Sequence, residues 1–301
     1  MACRTDQPGG IVTTPRETLD EDKVRLTLMN IHTQLDFAFS AGSAKRLSAA
    51  TGVRLCGVDL LSLDDAQYAE LAKLISSACV VVIEKNPLSP KQLVEFGSHL
   101  GELLAVPGVV RHPDQAEVLV VRNTAHTGAR ADYFHSDASF LPEPPSYSIL
   151  AGVEIPEFGG NTMFSNQYAA WSALSPNLKA YLRTATAKHG AARLTDPSQL
   201  TEPLPHHPLR RTHPLTDLPA LYMTSLDRLL GIDDIPAAES AAIVKFLYEQ
   251  SCRPENVYRH QWAQNDVVVW DNRCTMHSAV GDPVPTDRVL HRVVCAGEKP
   301  I

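Results

Sequence analysis

Apolar residues recur along the chain in short runs of strand length, separated by segments rich in turn-forming residues. The runs at 79–83 and 146–154 are the clearest, and runs of this length bounded by turn signals predict strands. Further strands are predicted at 53–58, 117–122, 184–188, 209–213, 220–224, 257–262, 266–270 and 288–295. Many short strands with few helices favour a mainly β fold, a sandwich or barrel, with helices packed outside.

Local capping signals predict where the helices begin. The segment 62–65 resembles a capping box that opens a helix to Ser77, and Ser89 followed by a proline and a glutamine predicts a helix over 90–100. Shorter helices are predicted over 167–174 and from Ser175 onward. A longer amphipathic helix is predicted over 237–250, and Ile243, Phe246 and Leu247 share its apolar face.

Length and composition limit the class of protein. The chain has 301 residues. Its pattern predicts an N-terminal extension of uncertain order over 1–45 and one domain over 46–301. The net charge of −7, without a run of basic residues, argues against nucleic acid or an anionic membrane as a partner. No apolar run approaches 18 residues and the N-terminus lacks the apolar stretch of a signal peptide, so a cytoplasmic location is predicted. Six cysteines without a Cys-x-x-Cys pair indicate buried free thiols.

The first candidate chemistry is His135 and Asp137 in the segment 132–140. In an extended strand, alternate side chains share a face, so both side chains would point toward one metal ion. A His-x-Asp pair alone is weak evidence, and His112 with Asp114 has the same spacing. The proline between that second pair predicts a turn, which would spoil the shared face.

Two arginines in the last predicted strand bear on whether His135 and Asp137 form a functional site. Arg288 and Arg292 are four residues apart, so period-two alternation places both on one face. If that face is buried, each guanidinium needs an anionic partner, and a dicarboxylate would satisfy two of them. A solvent-exposed face, or pairing with internal carboxylates, explains the same pattern.

His277 follows the strand-like run 267–270 and a loop that begins at Asp271. A lone histidine there is most simply an ordinary loop residue. A turn at 281–283 would, however, fold the last strand back beside it. Cys274 is a conceivable soft ligand, but Fe(II) oxygen chemistry suits imidazole and carboxylate better.

Together these motifs resemble the taurine/2,4-D (TauD/TfdA-like) family of Fe(II)/2-oxoglutarate-dependent dioxygenases. The resemblance runs from about Gly52 to Gly297 and includes His135 to Phe140, Gly159-Gly160-Asn161-Thr162, the segment from Trp270 to His277, and both late arginines. It implies a double-stranded β-helix, a cupin-like jelly roll, with peripheral helices. The implied cofactor is Fe(II), and 2-oxoglutarate and O₂ are the implied cosubstrates.

The resemblance also implies roles for individual residues. His135, Asp137 and His277 would hold Fe(II) as a two-histidine, one-carboxylate triad. Arg288 and Thr162 would hold the distal carboxylate of 2-oxoglutarate, and Arg292 would lie near the chelating carboxylate or an acidic group of the substrate. The implied reaction couples decarboxylation of 2-oxoglutarate to hydroxylation of a small, carboxylate-bearing metabolite.

Departures from the family pattern limit which substrates and reactions are expected. Taurine-cleaving members carry histidines after the Glu-Leu that ends an early helix, where this chain has Leu104 and Ala105, so aminosulfonate binding is not expected. Retention of Asp137 argues against halogenation. Desaturation, cyclisation or C–N oxidation remain alternatives within the same chemistry. A non-catalytic jelly-roll module that binds an acidic small molecule is an alternative of another class, and zinc hydrolysis would leave both arginines unexplained. A homo-oligomer is the default expectation for a soluble enzyme.

Overall fold

The strands of the protein are short and follow one another through turns, as the sequence pattern predicts. A computed structural model describes residues 37–105, 110–123, 132–191, 203–282 and 287–301. The strands in chain order are β1 (Ala38–Phe39), β2 (Gly42–Arg46), β3 (Val53–Cys56), β4 (Val80–Ile83), β5 (Arg111–His112), β6 (Gln115–Asn123), β7 (Tyr147–Glu154), β8 (Thr162–Asn166), β9 (Thr186–His189), β10 (His206–Pro208), β11 (Arg210–Thr212), β12 (Pro219–Leu221), β13 (Leu229–Ile232), β14 (Val257–His260), β15 (Val267–Asp271), β16 (Thr275–Ala279) and β17 (Arg288–Val294).

Two sheets built from these strands face each other. The larger has nine strands in the order β1-β2-β3-β4-β15-β7-β17-β6-β5, and the smaller has the order β14-β8-β16. Their pairs are antiparallel except for β3 and β4, which run parallel. Strands β9, β10 and β13 form a third sheet, and β11 pairs with β12. The predicted mainly β fold with peripheral helices, a jelly roll, is confirmed.

Side chains cap the first turn of four of the five α-helices that the structure describes, and the last helix along the chain has no side-chain cap. The helices are α1 (Asp65–Ala78), α2 (Pro90–Leu100), α3 (Gln167–Ser172), α4 (Pro176–Leu182) and α5 (Ala237–Ser251). Both α1 and α2 open with a capping box, in which the side chain before the helix and the one at its third position bond each other's backbone N–H. For α1 the capping residue is Asp64 with Gln67, not Ser62, because Ser62 ends a short 3-10 turn. No helix in the described residues is long and apolar enough to cross a membrane.

Apolar side chains pack on both faces of the nine-stranded sheet. On one face Val81, Ile149 and Val293 pack against side chains of α1 and α2. On the other face a second cluster fills the space between the two sheets, and it contains Leu150, Leu290 and Trp270 from the large sheet and Phe164 and Tyr258 from the small one. Apolar side chains from both sheets therefore fill part of the space between them.

The helix face predicted for α5 is partly wrong. The buried side chains are Ser240, Val244, Leu247 and Ser251, whereas Phe246 is 44% exposed. The serines face inward because each has a buried hydrogen bond: the Ser240 hydroxyl accepts from the Ile232 N–H at 2.7 Å, and Ser251 donates to the Gln167 side chain at 3.0 Å.

The N-terminal part of the predicted extension, residues 1–36, lies outside the described residues. Strand β1 pairs with β2, and β2 pairs with β3 at one edge of the large sheet. Residues 38–46 are therefore part of the sheet, and the division of the chain at residue 45 stays a prediction.

Candidate active site

Two backbone hydrogen bonds bring His135 beside His277. The N–H of each donates to the carbonyl oxygen of the other, at 3.0 and 2.9 Å, so the two form an isolated antiparallel bridge. His277 belongs to β16 and not to a loop, and β16 is held by pairing with β8. Asp137 follows His135 in a turn over 137–140. The predicted extended strand through His135 and Asp137 is therefore wrong, because a turn brings Asp137 to the imidazoles.

The three side chains converge in the interior. Asp137 Oδ1 lies 3.8 Å from His135 Nε2 and 3.8 Å from His277 Nε2, too far for hydrogen bonds. One nitrogen from each histidine and one carboxylate oxygen all lie within 4.8 Å of one another, and each residue is at most 8% exposed. Three lone pairs thus face a common point, which is the arrangement of a facial triad for Fe(II).

The protonation states suit a metal. Burial lowers the pKa of His135 and lowers that of His277 further, so both rings are neutral. Burial by itself raises the pKa of Asp137, but the guanidinium of Arg292 outweighs it and, with the hydrogen bond from Ser148, holds that pKa well below its usual range. Neutral imidazole and ionised carboxylate are the forms that bind metal ions.

The remaining polar atoms of the triad are mostly occupied. His135 Nδ1 hydrogen-bonds the Tyr133 carbonyl oxygen at 3.0 Å, which leaves Nε2 as the free nitrogen. Asp137 Oδ2 accepts from the Ser148 hydroxyl at 2.7 Å and from Arg292. His277 Nδ1 is buried without a hydrogen-bond partner among the residues that the structure describes. The carboxylate therefore turns Oδ1 toward the histidines.

A chain of hydrogen bonds continues behind Asp137. Trp270 Nε1 donates to the Asn272 side-chain oxygen at 3.0 Å, and Asn272 Nδ2 donates to the Ser148 hydroxyl at 3.0 Å. Arg292 also donates to Ser148, at 3.1 Å. The Ser148 hydroxyl thus uses its one donor and both acceptor positions, and it fixes the carboxylate by doing so.

The two late arginines point between the sheets but serve different groups. Arg292 pairs with Asp137, so its charge is balanced inside the protein. Arg288 is four residues away along β17, which corresponds to about 13 Å in a strand. The opposite face of β17 carries Val293, which packs beneath α2 rather than facing solvent. The pattern predicted the shared face correctly, and the binding of one dicarboxylate by both arginines stays a prediction.

Arg288 lies at the far end of the inter-sheet space and is 3% exposed. It donates to the Gly160 carbonyl oxygen, and burial lowers its pKa to about 10 against the opposing charge of Asp282. Gly160 has φ +63°, and a β-carbon there would come within 3.2 Å of the Arg288 side chain, so this position suits glycine. Thr162 begins β8 two residues later, and its hydroxyl accepts from Trp262 Nε1 at 3.1 Å.

Comparison with known proteins identifies the family. The model of the "Taurine catabolism dioxygenase TauD, TfdA family" matches residues 43–294. The chain belongs to this family. As a TauD/TfdA member it is a 2-oxoglutarate-dependent dioxygenase, and Fe(II), 2-oxoglutarate and O₂ are its cofactor and cosubstrates.

Individual TauD/TfdA relatives align with most of the chain. An alpha-ketoglutarate-dependent sulfonate dioxygenase of Saccharomyces cerevisiae is 30% identical over 85% of this chain and 67% of its own length. An alkylsulfatase of Acinetobacter baylyi is 31% identical over 84% of each. The crystal structure of a taurine dioxygenase from Burkholderia xenovorans superposes with a TM-score of 0.77 at 31% identity, covering 87% of this chain and 93% of that one.

The structure also separates the second His-x-Asp pair from the candidate centre. His112 and Asp114 flank a turn between β5 and β6, as its proline predicts, and the Asp114 N–H donates to the His112 ring at 3.2 Å. Within the described residues, the groups that cluster at metal-binding distance include neither of them.

A second buried cluster contains His213, Asp271 and Cys274. Arg273 holds the Asp271 carboxylate with two hydrogen bonds of 2.8 and 2.7 Å, and His213 Nε2 lies 2.9 Å from it. Burial raises the pKa of Asp271, but Arg273 and His213 together hold it well below its usual range. Because its oxygens are occupied in this way, the cluster is an ion-pair network that fixes the turn after β15, from which Asn272 reaches the dioxygenase centre.

Sequence reasoning missed several residues of the centre. Ser148 sits inside an apolar strand and Asn272 inside a motif, but neither had a predicted role. A polar residue in a run that is otherwise fully buried is the one signal that marks Ser148, because a buried hydroxyl requires partners.

Proposed function

We propose that His135, Asp137 and His277 hold the Fe(II) of this dioxygenase and that the enzyme hydroxylates a small anionic metabolite. The observation that carries the proposal is the convergence of two imidazole nitrogens and one carboxylate oxygen within 4.8 Å, with the second carboxylate oxygen already bonded. Bound Fe(II) supplies, with O₂, the oxidising power that decarboxylates 2-oxoglutarate to succinate and CO₂ and oxidises the substrate.

Arg288 binds the distal carboxylate of 2-oxoglutarate in this proposal. Its guanidinium is almost fully buried, its Nε has no hydrogen-bond partner among the described residues, and a planar fork suits a carboxylate. Thr162 adds a hydroxyl at the same end of the space. Arg292 keeps Asp137 ionised and oriented.

Aromatic rings pack against both histidines of the proposed centre. The Trp270 ring lies 4.5 Å from that of His277, and the Phe164 ring lies 6.4 Å from it. On the other side the Tyr133 ring lies 5.3 Å from that of His135. A dry, rigid pocket holds the substrate carbon in place and prevents oxidation of other groups.

The anionic substrate class follows from the relatives. Those described above are named for sulfonates, alkyl sulfates and taurine, each of which carries an anion. The finer proposal is a carboxylate-bearing metabolite without the aminosulfonate group of taurine, since Leu104 and Ala105 replace the histidines expected for taurine.

The test is anaerobic addition of Fe(II) and 2-oxoglutarate. The wild type is expected to develop a weak visible charge-transfer band and, on exposure to air, to release succinate. His135→Ala is expected to lose both. His112→Ala is the matched control, because it removes the histidine of the other His-x-Asp pair, and it is expected to retain both. If the band survives His135→Ala, the metal assignment is wrong.

A further inference from the structure

A third arginine lies beside the metal centre. Arg228 is the last residue of the turn before β13, and its NH2 donates to the Tyr133 hydroxyl at 3.0 Å. Its guanidinium carbon lies 5.5 Å from the centre of the Tyr133 ring, which in turn lies 5.3 Å from the His135 ring. One aromatic side chain therefore separates this guanidinium from a proposed iron ligand.

The backbone fixes Arg228 in this position. Its N–H donates to the Ser225 carbonyl oxygen at 2.9 Å, and its carbonyl oxygen accepts from the Gly190 N–H at 2.7 Å. The side chain is half-buried, and these two backbone hydrogen bonds hold the turn that carries it.

The charge of Arg228 is balanced differently from that of the other two arginines. Arg292 forms an ion pair with Asp137, and Arg288 is assigned to 2-oxoglutarate. Arg228 bonds a neutral phenol, and in the described part of the chain it forms no ion pair with a carboxylate. Its buried Nε also has no partner there. A partly desolvated cation of this kind is stabilised by an anion that arrives with a ligand.

We propose that Arg228, held by Tyr133, binds the anionic group of the primary substrate. The inference rests on the proposed function and adds to it the residue that selects the substrate. The ligand chemistry is a carboxylate, sulfonate or sulfate on a compact carbon skeleton, with the carbon to be oxidised placed beside His135 and the anion directed toward β13. Tyr133 is a positioning residue, because it acts by orienting the guanidinium.

The experiment compares Arg228→Gln, Arg228→Lys and a control, Arg253→Gln. Arg253 is an exposed arginine that pairs with Glu255 at the surface. The probes share one alkyl chain: hexanoate, hexanesulfonate and hexyl sulfate are anionic, and hexanamide is neutral. Succinate release at saturating 2-oxoglutarate gives KM and kcat for each probe, and calorimetric titration of the Fe(II)- and 2-oxoglutarate-loaded enzyme without O₂ gives Kd.

For the anion that the wild type accepts, Arg228→Gln is expected to raise KM and Kd about 10- to 100-fold, since a hydrogen bond to a charged group is lost. The kcat is expected to change little, and Arg228→Lys is expected to recover part of the affinity. Hexanamide and Arg253→Gln are expected to show no such effect. The probe that responds identifies the anion.

The proposal is overturned if Arg228→Gln binds the accepted anion with unchanged affinity. It is also overturned if the wild type binds hexanamide and the anionic probes with equal affinity, or if the wild type binds none of the anionic probes. The charge-transfer band with Fe(II) and 2-oxoglutarate separates this failure from that of the proposed function. It is expected to be intact in Arg228→Gln, and its absence from the wild type would refute the metal assignment instead.

Discussion

Replacement of Ser148 by alanine tests how the protein orients its metal carboxylate. The Ser148 side chain is fully buried, and its hydroxyl donates to Asp137 Oδ2 at 2.7 Å while it accepts from Asn272 and Arg292. Ser148→Ala removes all three hydrogen bonds without adding bulk. The Asn272 amide, which is 1% exposed, then loses its acceptor.

The expected loss follows from these contacts. A hydrogen bond to a charged group contributes about 1.5 to 3 kcal/mol, which corresponds to about 10- to 100-fold in affinity. Changes to residues that orient metal ligands fall in the same range. Because Arg292 remains on Oδ2, the carboxylate keeps its charge partner, and the lower end of the range, about 10-fold weaker metal binding, is expected.

The assay is anaerobic calorimetric titration with Fe(II), repeated with Mn(II) as a redox-stable ion. Ser146→Ala is the matched control, because Ser146 is also buried but donates to the Ala296 carbonyl oxygen at 2.6 Å, away from the triad. The orienting role of Ser148 is refuted if Ser148→Ala binds both ions as tightly as Ser146→Ala does.

Two further predictions concern 2-oxoglutarate and pH. Arg288→Gln is expected to raise KM for 2-oxoglutarate about 10- to 100-fold in the succinate assay and to leave the affinity for the primary substrate unchanged; an unchanged KM for 2-oxoglutarate would contradict its role. Burial, with the charges of His207 and His206, lowers the pKa of His189 to about 3, so the folded state excludes a proton that the unfolded state takes up below its usual pKa of about 6.5. The free energy of unfolding is therefore unaffected by protonation of His189 above a pH of about 6.5 and declines as pH falls toward 3, by about 2 kcal/mol between pH 7.5 and 5. Urea unfolding of His189→Gln is expected to show that much less pH dependence than the wild type, and equal slopes would refute it.

Elements with local signals were predictable. Helix α2 begins where its serine, proline and glutamine predict, because capping hydrogen bonds span only three residues. Strands β8 and β16 were missed, since each has polar residues on either face and is held as a strand by pairing with the other. The buried face of α5 was predicted only in part, because two serines on that face hydrogen-bond residues of β13 and α3, which are distant in the sequence.

In the candidate site, too, local features were predictable from the sequence and contacts between distant segments were not. The identities of the proposed ligands followed from motifs, whereas the way they meet did not, because a bridge between His135 and His277 and a turn at Asp137 depend on the folded sheet. Ser148 and Arg228 act through partners distant in the sequence. Spacing within the chain carries no information about such contacts.

The bridge between His135 and His277 also has a mechanical consequence. These residues belong to segments separated by the third sheet, β11 and β12, and α3 to α5, and two backbone hydrogen bonds join them. An ion bound to both imidazoles and to Asp137 fastens the same two segments a second time. A ligand that binds only the folded state adds about 2.7 kcal/mol of stability at a hundredfold excess over its Kd. The proposed iron site therefore predicts that loading with Fe(II) raises the melting temperature, because the ion joins these two segments.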